Sequence, residues 1–146
     1  LNQTDLKIGF MDEHNDVRWK QRFDNYEKAM VHLELALQIQ KPDVVHRAGL
    51  IQFFEMSFEL SWNVMKDYLT EQGYTDAKSP RAAIKKAFET GLIEDGYGWI
   101  KLLEDRNLTS HVYDDATAIK VEELIRNEYY ALLKKLYSRL KTETNA

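Results

Sequence analysis

The segment from Leu50 to Met65 constrains this chain more than any other. Leu50, Ile51, Phe53, Phe54, Met56, Phe58, Leu60, Trp62, Val64 and Met65 leave almost no face of a helix polar. A helix that is apolar nearly all round must be surrounded by other elements. One narrow polar stripe remains, at Gln52, Glu55, Glu59, Asn63 and Lys66. The segment therefore reads as the central helix of a bundle, running from about Val44 to Gln72, with Asp43 as its cap and Gly73 as its stop.

The rest of the chain supplies helices to surround it. Trp19, Phe23, Tyr26, Met30, Leu33 and Leu37 recur at spacings of four and three and predict a first helix from about Val17 to Gln40, ended by Pro42. Ser79-Pro80 opens a short third helix with Ala83, Ile84, Ala87 and Phe88 inward and Gly91 at its end. A fourth starts near Tyr97, turns Trp99, Leu102 and Leu103 inward, and weakens across the poor helix formers of Asn107-Leu108-Thr109-Ser110. Asp114 or Asp115 caps a fifth that reaches about Lys141 on the stripe Ala118, Val121, Ile125, Tyr129, Leu132, Leu136 and Leu140. No strand alternation competes. The expected fold class is all-α, an up-and-down bundle of about five helices. Residues 1–15 read as a flexible N-terminal segment, with Met11 a candidate native start, residues 16–141 as one helical domain and residues 142–146 as a flexible tail.

Composition removes several function classes. A net charge of -4 argues against a general nucleic-acid coat but leaves room for a local cationic site. With no cysteine, disulfides, thiol redox chemistry and thiolate zinc sites are excluded, which fits a reducing cytoplasm. No apolar run approaches the roughly 18 residues of a membrane span. Leu1 to Phe10 lack the apolar centre of a signal peptide.

The densest chemistry lies between Asp105 and Tyr113. A guanidinium (Arg106), an amide (Asn107), two hydroxyls (Thr109, Ser110), an imidazole (His111) and a phenol (Tyr113) fall close together. On one α-helix Arg106 and His111 would point about 140° apart. For both to meet one substrate, the helix must end between them, or two copies must supply them across a symmetric interface. Such a set suits RNA cleavage without a metal. Imidazole, the side chain whose ordinary titration lies near neutrality, can move the proton of a ribose 2′-hydroxyl. Arg106 can hold phosphate oxygens in its planar fork, and Asn107 can orient the phosphate or the ring. The structural alternative pairs Arg106 with Asp105 or Asp114, packs His111 at a helix end and places Tyr113 in the core.

Two other constellations stand out. Glu55 and Glu59 lie one turn apart on the central helix. No histidine is in register with them, so a metal site is not expected. They form a solvated stripe or reach inward to Arg81 or Arg106. Ser79-Pro80-Arg81, with Lys85 and Lys86, is a helix start beside which an anion can sit.

Several blocks in order resemble one family. Leu50-Ile51-Gln52-Phe53-Phe54-Glu55-Met56-Ser57-Phe58-Glu59-Leu60-Ser61-Trp62 is similar to the central helix of the nucleotidyltransferase substrate-binding proteins, a family of the HEPN superfamily. Ser79-Pro80-Arg81, Ala87-Phe88 with Gly91-Leu92-Ile93, Trp99, and Arg106-Asn107 through Thr109-Ser110-His111-Val112-Tyr113 continue the likeness, which covers roughly Trp19 to Leu140. The resemblance implies a five-helix HEPN-like bundle that forms a homodimer and partners a minimal nucleotidyltransferase. It implies that Arg106, Asn107 and His111 are the Arg-x4-His set of a metal-independent endoribonuclease toxin, with no cofactor. It also implies that the partner enzyme silences the toxin by nucleotide addition to Tyr113. The alternative it allows is a non-catalytic subunit that presents a substrate to the nucleotidyltransferase.

Overall fold

The structure is a computed structural model that describes residues 3–145, with side chains described from Arg18 onward. Helix α1 spans Gln3–Leu37, α2 Val44–Glu71, α3 Pro80–Glu89 and α4 Gly96–Asp105. A 3-10 segment, Arg106–His111, follows α4 directly. Helix α5, Asp115–Leu124, runs without a break through a π turn at Ile125–Tyr129 into α6, Tyr130–Thr144. Counting that last rod once, the bundle has five helices, and no strand occurs among the described residues. The segments expected to be flexible, 1–15 and 142–146, fall partly on residues 1, 2 and 146, which lie outside those described, and on a stretch whose side chains do as well.

The termini of these helices follow from local chemistry. Asp43, Ser79, Asp95 and Asp114 each accept a hydrogen bond from the backbone N–H three residues on, which satisfies a donor the helix cannot. Pro80 takes the first position of α3, where its missing N–H costs nothing. Gly73 and Gly91 end α2 and α3 at φ of 99° and 82°, a region that side chains disfavour.

Helix α2 is the centre, as its composition requires. Leu50, Ile51, Phe54, Phe58, Val64, Met65 and Leu69 are buried against Trp19, Phe23, Tyr26, Met30 and Leu33 of α1 and the inner faces of the later helices. Met56 is exposed, so the polar stripe of α2 widens into a solvent-facing side rather than a slot. Phe88, expected inward, is 54% exposed. Its ring covers Gly96 instead, where an added Cβ would meet it at 3.0 Å.

The stripe on the last rod is shifted by one residue. Leu133 is fully buried while Leu132, which the spacing placed inside, is only half-buried. Val121, Ile125, Tyr129 and Leu133 are three successive spacings of four, which drift roughly 120° on an ideal α-helix. The π turn takes up that surplus, because the Tyr130 N–H reaches back to the Ile125 carbonyl, five residues away rather than four.

Antiparallel register between α1 and α6 is fixed by a repeated contact. Tyr137 and Lys141 donate to Glu27 at 2.6 and 3.1 Å. One heptad further along α1, Tyr130 and Lys134 donate to Glu34 at 2.7 and 2.9 Å. Hydrogen bonds from Tyr137 and Lys141 hold the Glu27 carboxyl below its usual range. Burial pushes Glu34 up, but its bonds from Lys134 and Tyr130 together outweigh this and leave it lowered. Carboxyls lowered on folding stabilise the fold above the unfolded value of about 4.3, and that stability is lost as pH falls through the folded values. The melting temperature should therefore drop on acidification below that value. A Glu27→Gln, Glu34→Gln double variant should show a visibly smaller acid-induced drop in the same calorimetric titration.

Candidate functional site

The α-helical geometry of α4 stops at Asp105, before the guanidinium rather than between it and the imidazole. Two hydroxyls hold the tighter helix that follows. Thr109 Oγ1 donates to the Arg106 carbonyl at 2.7 Å and Ser110 Oγ to the Asn107 carbonyl at 2.8 Å. These local bonds compete with the α-helical ladder and explain why the sequence weakens there.

In a 3-10 helix residues three apart eclipse one another. Arg106 lies above Thr109 and Asn107 above Ser110, and these four side chains line an open groove of about 280 Å³ together with Glu55 and Glu59 of α2. The third ridge carries Leu108, which packs on the core, and His111, which is exposed. One chain thus lines the groove with the guanidinium and the amide, while the imidazole leaves from the neighbouring ridge. Tyr113 is 84% exposed and its ring lies 6.2 Å from that of His111.

Of the partners expected for Arg106, its chain neighbours Asp105 and Asp114 are engaged elsewhere, and Glu59 is the one it meets. Asp105 accepts a hydrogen bond from the Tyr129 hydroxyl. Burial, then that bond and the Asp105 charge, push the tyrosine far above its ordinary range, so it is the donor at any ordinary pH. Asp114 caps α5 through the Thr117 N–H and hydroxyl. Arg106 instead reaches α2: Nη1 donates to Glu59 Oε1 at 2.6 Å, and the guanidinium carbon sits 5.2 Å from the centre of the Phe58 ring. Glu59 also accepts from Trp62 Nε1 at 3.0 Å. Both members of the ion pair remain solvent-accessible, so the guanidinium fork is not sealed off.

Glu59 thus meets Arg106, as one reading of the pair allowed, but at the surface, and Glu55 and Glu59 together form one wall of the open groove. Arg81 is not part of it. From the first turn of α3, which packs on α4, it reaches Glu104 at 3.6 Å across exposed surface. Among the described residues no group of three or more His, Asp or Glu side chains is placed to hold a metal ion, and no helix is long and apolar enough to cross a membrane.

Sequence reasoning missed two features, the Tyr129 contact to Asp105 beside this segment and the buried Glu122 of α5. Glu122 accepts from Arg47 Nε at 2.9 Å and Arg126 Nε at 2.8 Å. Its position gave a signal: it stands four residues after Ala118 and three before Ile125, on the apolar stripe itself.

Glu59 holds only Nη1 of Arg106, so its carboxylate would repel any anion brought to the rest of the fork. Exposed pairs of this kind are worth about 0.2–1 kcal/mol, so Glu59→Gln should tighten binding of a short single-stranded RNA by about threefold. Fluorescence anisotropy at fixed salt reads this directly, and an unchanged affinity would show that Arg106 does not meet the phosphate.

Comparison with known proteins gives a consistent set of likenesses. The family model described as nucleotidyltransferase substrate binding protein like matches residues 21–142. A curated protein from Haemophilus influenzae named probable ribonuclease HepT is 38% identical over 78 residues, which is 51% of this chain and 53% of that protein. The match therefore spans about half the length of that relative. A crystal structure from Thermus thermophilus superposes with a TM-score of 0.72 at 31% identity, covering 79% of this chain and 98% of the other. A Haemophilus influenzae structure described as the fold of a substrate binding domain of a nucleotidyltransferase gives a TM-score of 0.72 at 29% identity, covering 82% and 98%.

Proposed function

The chain belongs to the nucleotidyltransferase substrate-binding protein family, and from that premise we propose that it is the HEPN-type ribonuclease toxin of a toxin–antitoxin pair, silenced by a minimal nucleotidyltransferase. The observation that carries the reading is the 3-10 segment itself. Arg106 and Asn107 face an open groove, and His111 and Tyr113 stand in solvent within seven residues of Arg106. Tyr113, which the structural alternative placed in the core, stands in solvent instead.

The reaction is attack of a ribose 2′-hydroxyl oxygen on the adjacent phosphorus. The new P–O2′ bond forms as the P–O5′ bond breaks, leaving a 2′,3′-cyclic phosphate and a 5′-hydroxyl. One base must take the 2′ proton and one acid must give a proton to the leaving oxygen. The Arg106 fork stabilises charge on the equatorial oxygens, and Asn107 orients them. The chain presents its imidazole on a different ridge from its guanidinium, so two copies around a two-fold axis assemble the site, the imidazole of one facing the groove of the other. This is why a homodimer belongs to the proposal.

Silencing follows from the exposure of Tyr113. Its hydroxyl gives up its proton to a base as the oxygen attacks the α-phosphorus of a nucleoside triphosphate held by the partner enzyme, and pyrophosphate leaves. The added nucleotide puts bulk and negative charge beside His111 and obstructs an RNA phosphate. Both events fit a cytoplasmic setting, where RNA and nucleotides are available.

The Glu59–Arg106 ion pair favours one other reading, in which Arg106 is a structural residue and the chain is a non-catalytic subunit that presents a substrate to the nucleotidyltransferase. One experiment separates the two. Purified protein is incubated with RNA in the presence of EDTA, with and without prior treatment by the nucleotidyltransferase and a nucleoside triphosphate, and its size is measured by light scattering. Cleavage by a dimer, lost after treatment and retained by Tyr113→Phe, is the expected result. A monomer, or a dimer that leaves RNA intact at every concentration, would favour the second reading.

A further inference from the structure

Helix α4 delivers Arg106 from its last residue, Asp105, and Asp105 is tied to the far end of the sequence. Its carboxylate accepts the hydrogen bond from Tyr129, the final residue of the π turn, 24 positions away. Tyr129 is 3% exposed and its ring stacks on Phe54 with centroids 5.9 Å apart and planes inclined by 19°. Lys101, one turn before Asp105, lies 5.7 Å over the same ring and donates to Glu128 at 2.7 Å. Phe54 and Phe58 stand one turn apart on α2, the first beneath Tyr129 and the second beneath the Arg106 guanidinium. The tyrosine and the arginine thus rest on neighbouring rungs of one aromatic ladder.

A π turn is rare, about 1% of residues or fewer, and tends to persist where a site needs its extra residue. Here that residue sets which side chain faces α4. Removing it would swing Tyr129 about 100° around the rod and away from Asp105. The peptide plane between Asp105 and Arg106 is rigid, so a fixed Asp105 limits the directions in which Arg106 can leave.

We propose that Asp105 and Tyr129 are positioning residues: their hydrogen bond pins the junction between α4 and the 3-10 segment and so aims Arg106 at the groove. This inference rests on the reading of Arg106 as the phosphate-holding group, and it adds two residues that the Arg-x4-His pattern does not contain. The hydrogen bond, not the charge, does the positioning, because Tyr129 is a neutral donor that any fixed acceptor oxygen would satisfy.

The test compares Tyr129→Phe, Asp105→Ala and Asp105→Asn in the full chain. Phenylalanine keeps the stack on Phe54, and asparagine keeps an acceptor oxygen for the tyrosine. Cleavage of a defined RNA is measured as kcat and KM, the Arg106 Nε–H resonance is followed by NMR, and each melting temperature is recorded. Tyr129→Phe and Asp105→Ala should lower kcat about tenfold with KM within about twofold, since a small misplacement of a catalytic group costs rate before it costs binding. Both should move the Arg106 resonance, and Asp105→Asn should restore rate and resonance to near wild type. An unmoved resonance in Tyr129→Phe and Asp105→Ala, or Asp105→Asn behaving like Asp105→Ala, would overturn the proposal. Should the wild-type protein fail to cleave RNA, the functional reading falls while the resonance still decides the positioning role. The Asp105→Ala against Asp105→Asn comparison decides it even if Tyr129→Phe does not fold.

Discussion

Replacing His111 with alanine is expected to lower RNA cleavage by about a thousandfold and to leave the fold untouched. Proton transfer by a placed side chain is worth roughly 10²–10⁴ in rate, and each copy in the proposed dimer would lose its imidazole at once. The stability side of the expectation follows from the surroundings of the ring. His111 is exposed, and its ring meets the edge of Tyr113 at a centroid distance of 6.2 Å. Surface substitutions of that kind stay within about 0.5 kcal/mol. Arg106→Ala should fall as far in rate but also strand Glu59 and uncover Phe58. It is therefore the less clean probe. Arg106→Lys is informative beside it: the charge survives but the planar fork does not, so activity should stay well below wild type. In cells, growth arrest on expression should vanish with His111→Ala. Equal cleavage by wild type and His111→Ala in a nuclease-free preparation would sink the catalytic assignment.

The helices were legible because each one carries its own punctuation. Ser79-Pro80, Gly73, Gly91, Asp43 and Asp114 act through bonds to residues two to four positions away, which a linear reading contains. The central place of α2 was legible for the same reason, since an all-round apolar helix states its own surroundings. The site was half legible. The weakening at Asn107 to Ser110 pointed to a break in α4, but hydroxyls folding back on carbonyls made a 3-10 helix that starts at Arg106 itself. On this tighter helix Arg106 and His111 still leave about 120° apart, so the break does not bring them onto one face. Contacts between distant positions left weaker marks. Arg106 chooses Glu59 over its neighbours Asp105 and Asp114 because Tyr129 and the α5 cap have already taken those two. The π turn was invisible to a fixed 3.6-residue period, and Leu132 was placed inside in place of Leu133.

Glu122 is where the largest loss of stability is expected. Its side chain is 11% exposed and stands between Arg47 and Arg126, themselves 16% and 24% exposed. Arg126 continues the network to the end of α1, donating to the Leu37 carbonyl at 2.8 Å and the Ile39 carbonyl at 2.6 Å, while Arg47 reaches the Pro42 carbonyl at 3.2 Å. These carbonyls lie at the last residue of α1 and in its connection to α2, where the helix leaves acceptors unsatisfied. One carboxylate therefore holds two guanidinia that in turn close the end of α1 onto α5. Burial pushes the Glu122 carboxyl up, but hydrogen bonds from Arg47 and Arg126 outweigh it and leave it below its usual range. Glu122→Ala would leave two largely buried cations facing each other, and removing one partner of such a pair costs about 3–5 kcal/mol. For a chain of this size that corresponds to a fall in melting temperature of about 10 °C or more. Glu122→Gln should be milder, since it keeps an acceptor oxygen but loses the charge. Glu128→Ala, which breaks the exposed contact to Lys101, should change stability by less than about 1 kcal/mol and serves as the control. Thermal and denaturant melts of the three variants decide the matter. Glu122→Ala melting within a degree or two of Glu128→Ala would mean that solvent reaches the two arginines and that the network does not close the bundle.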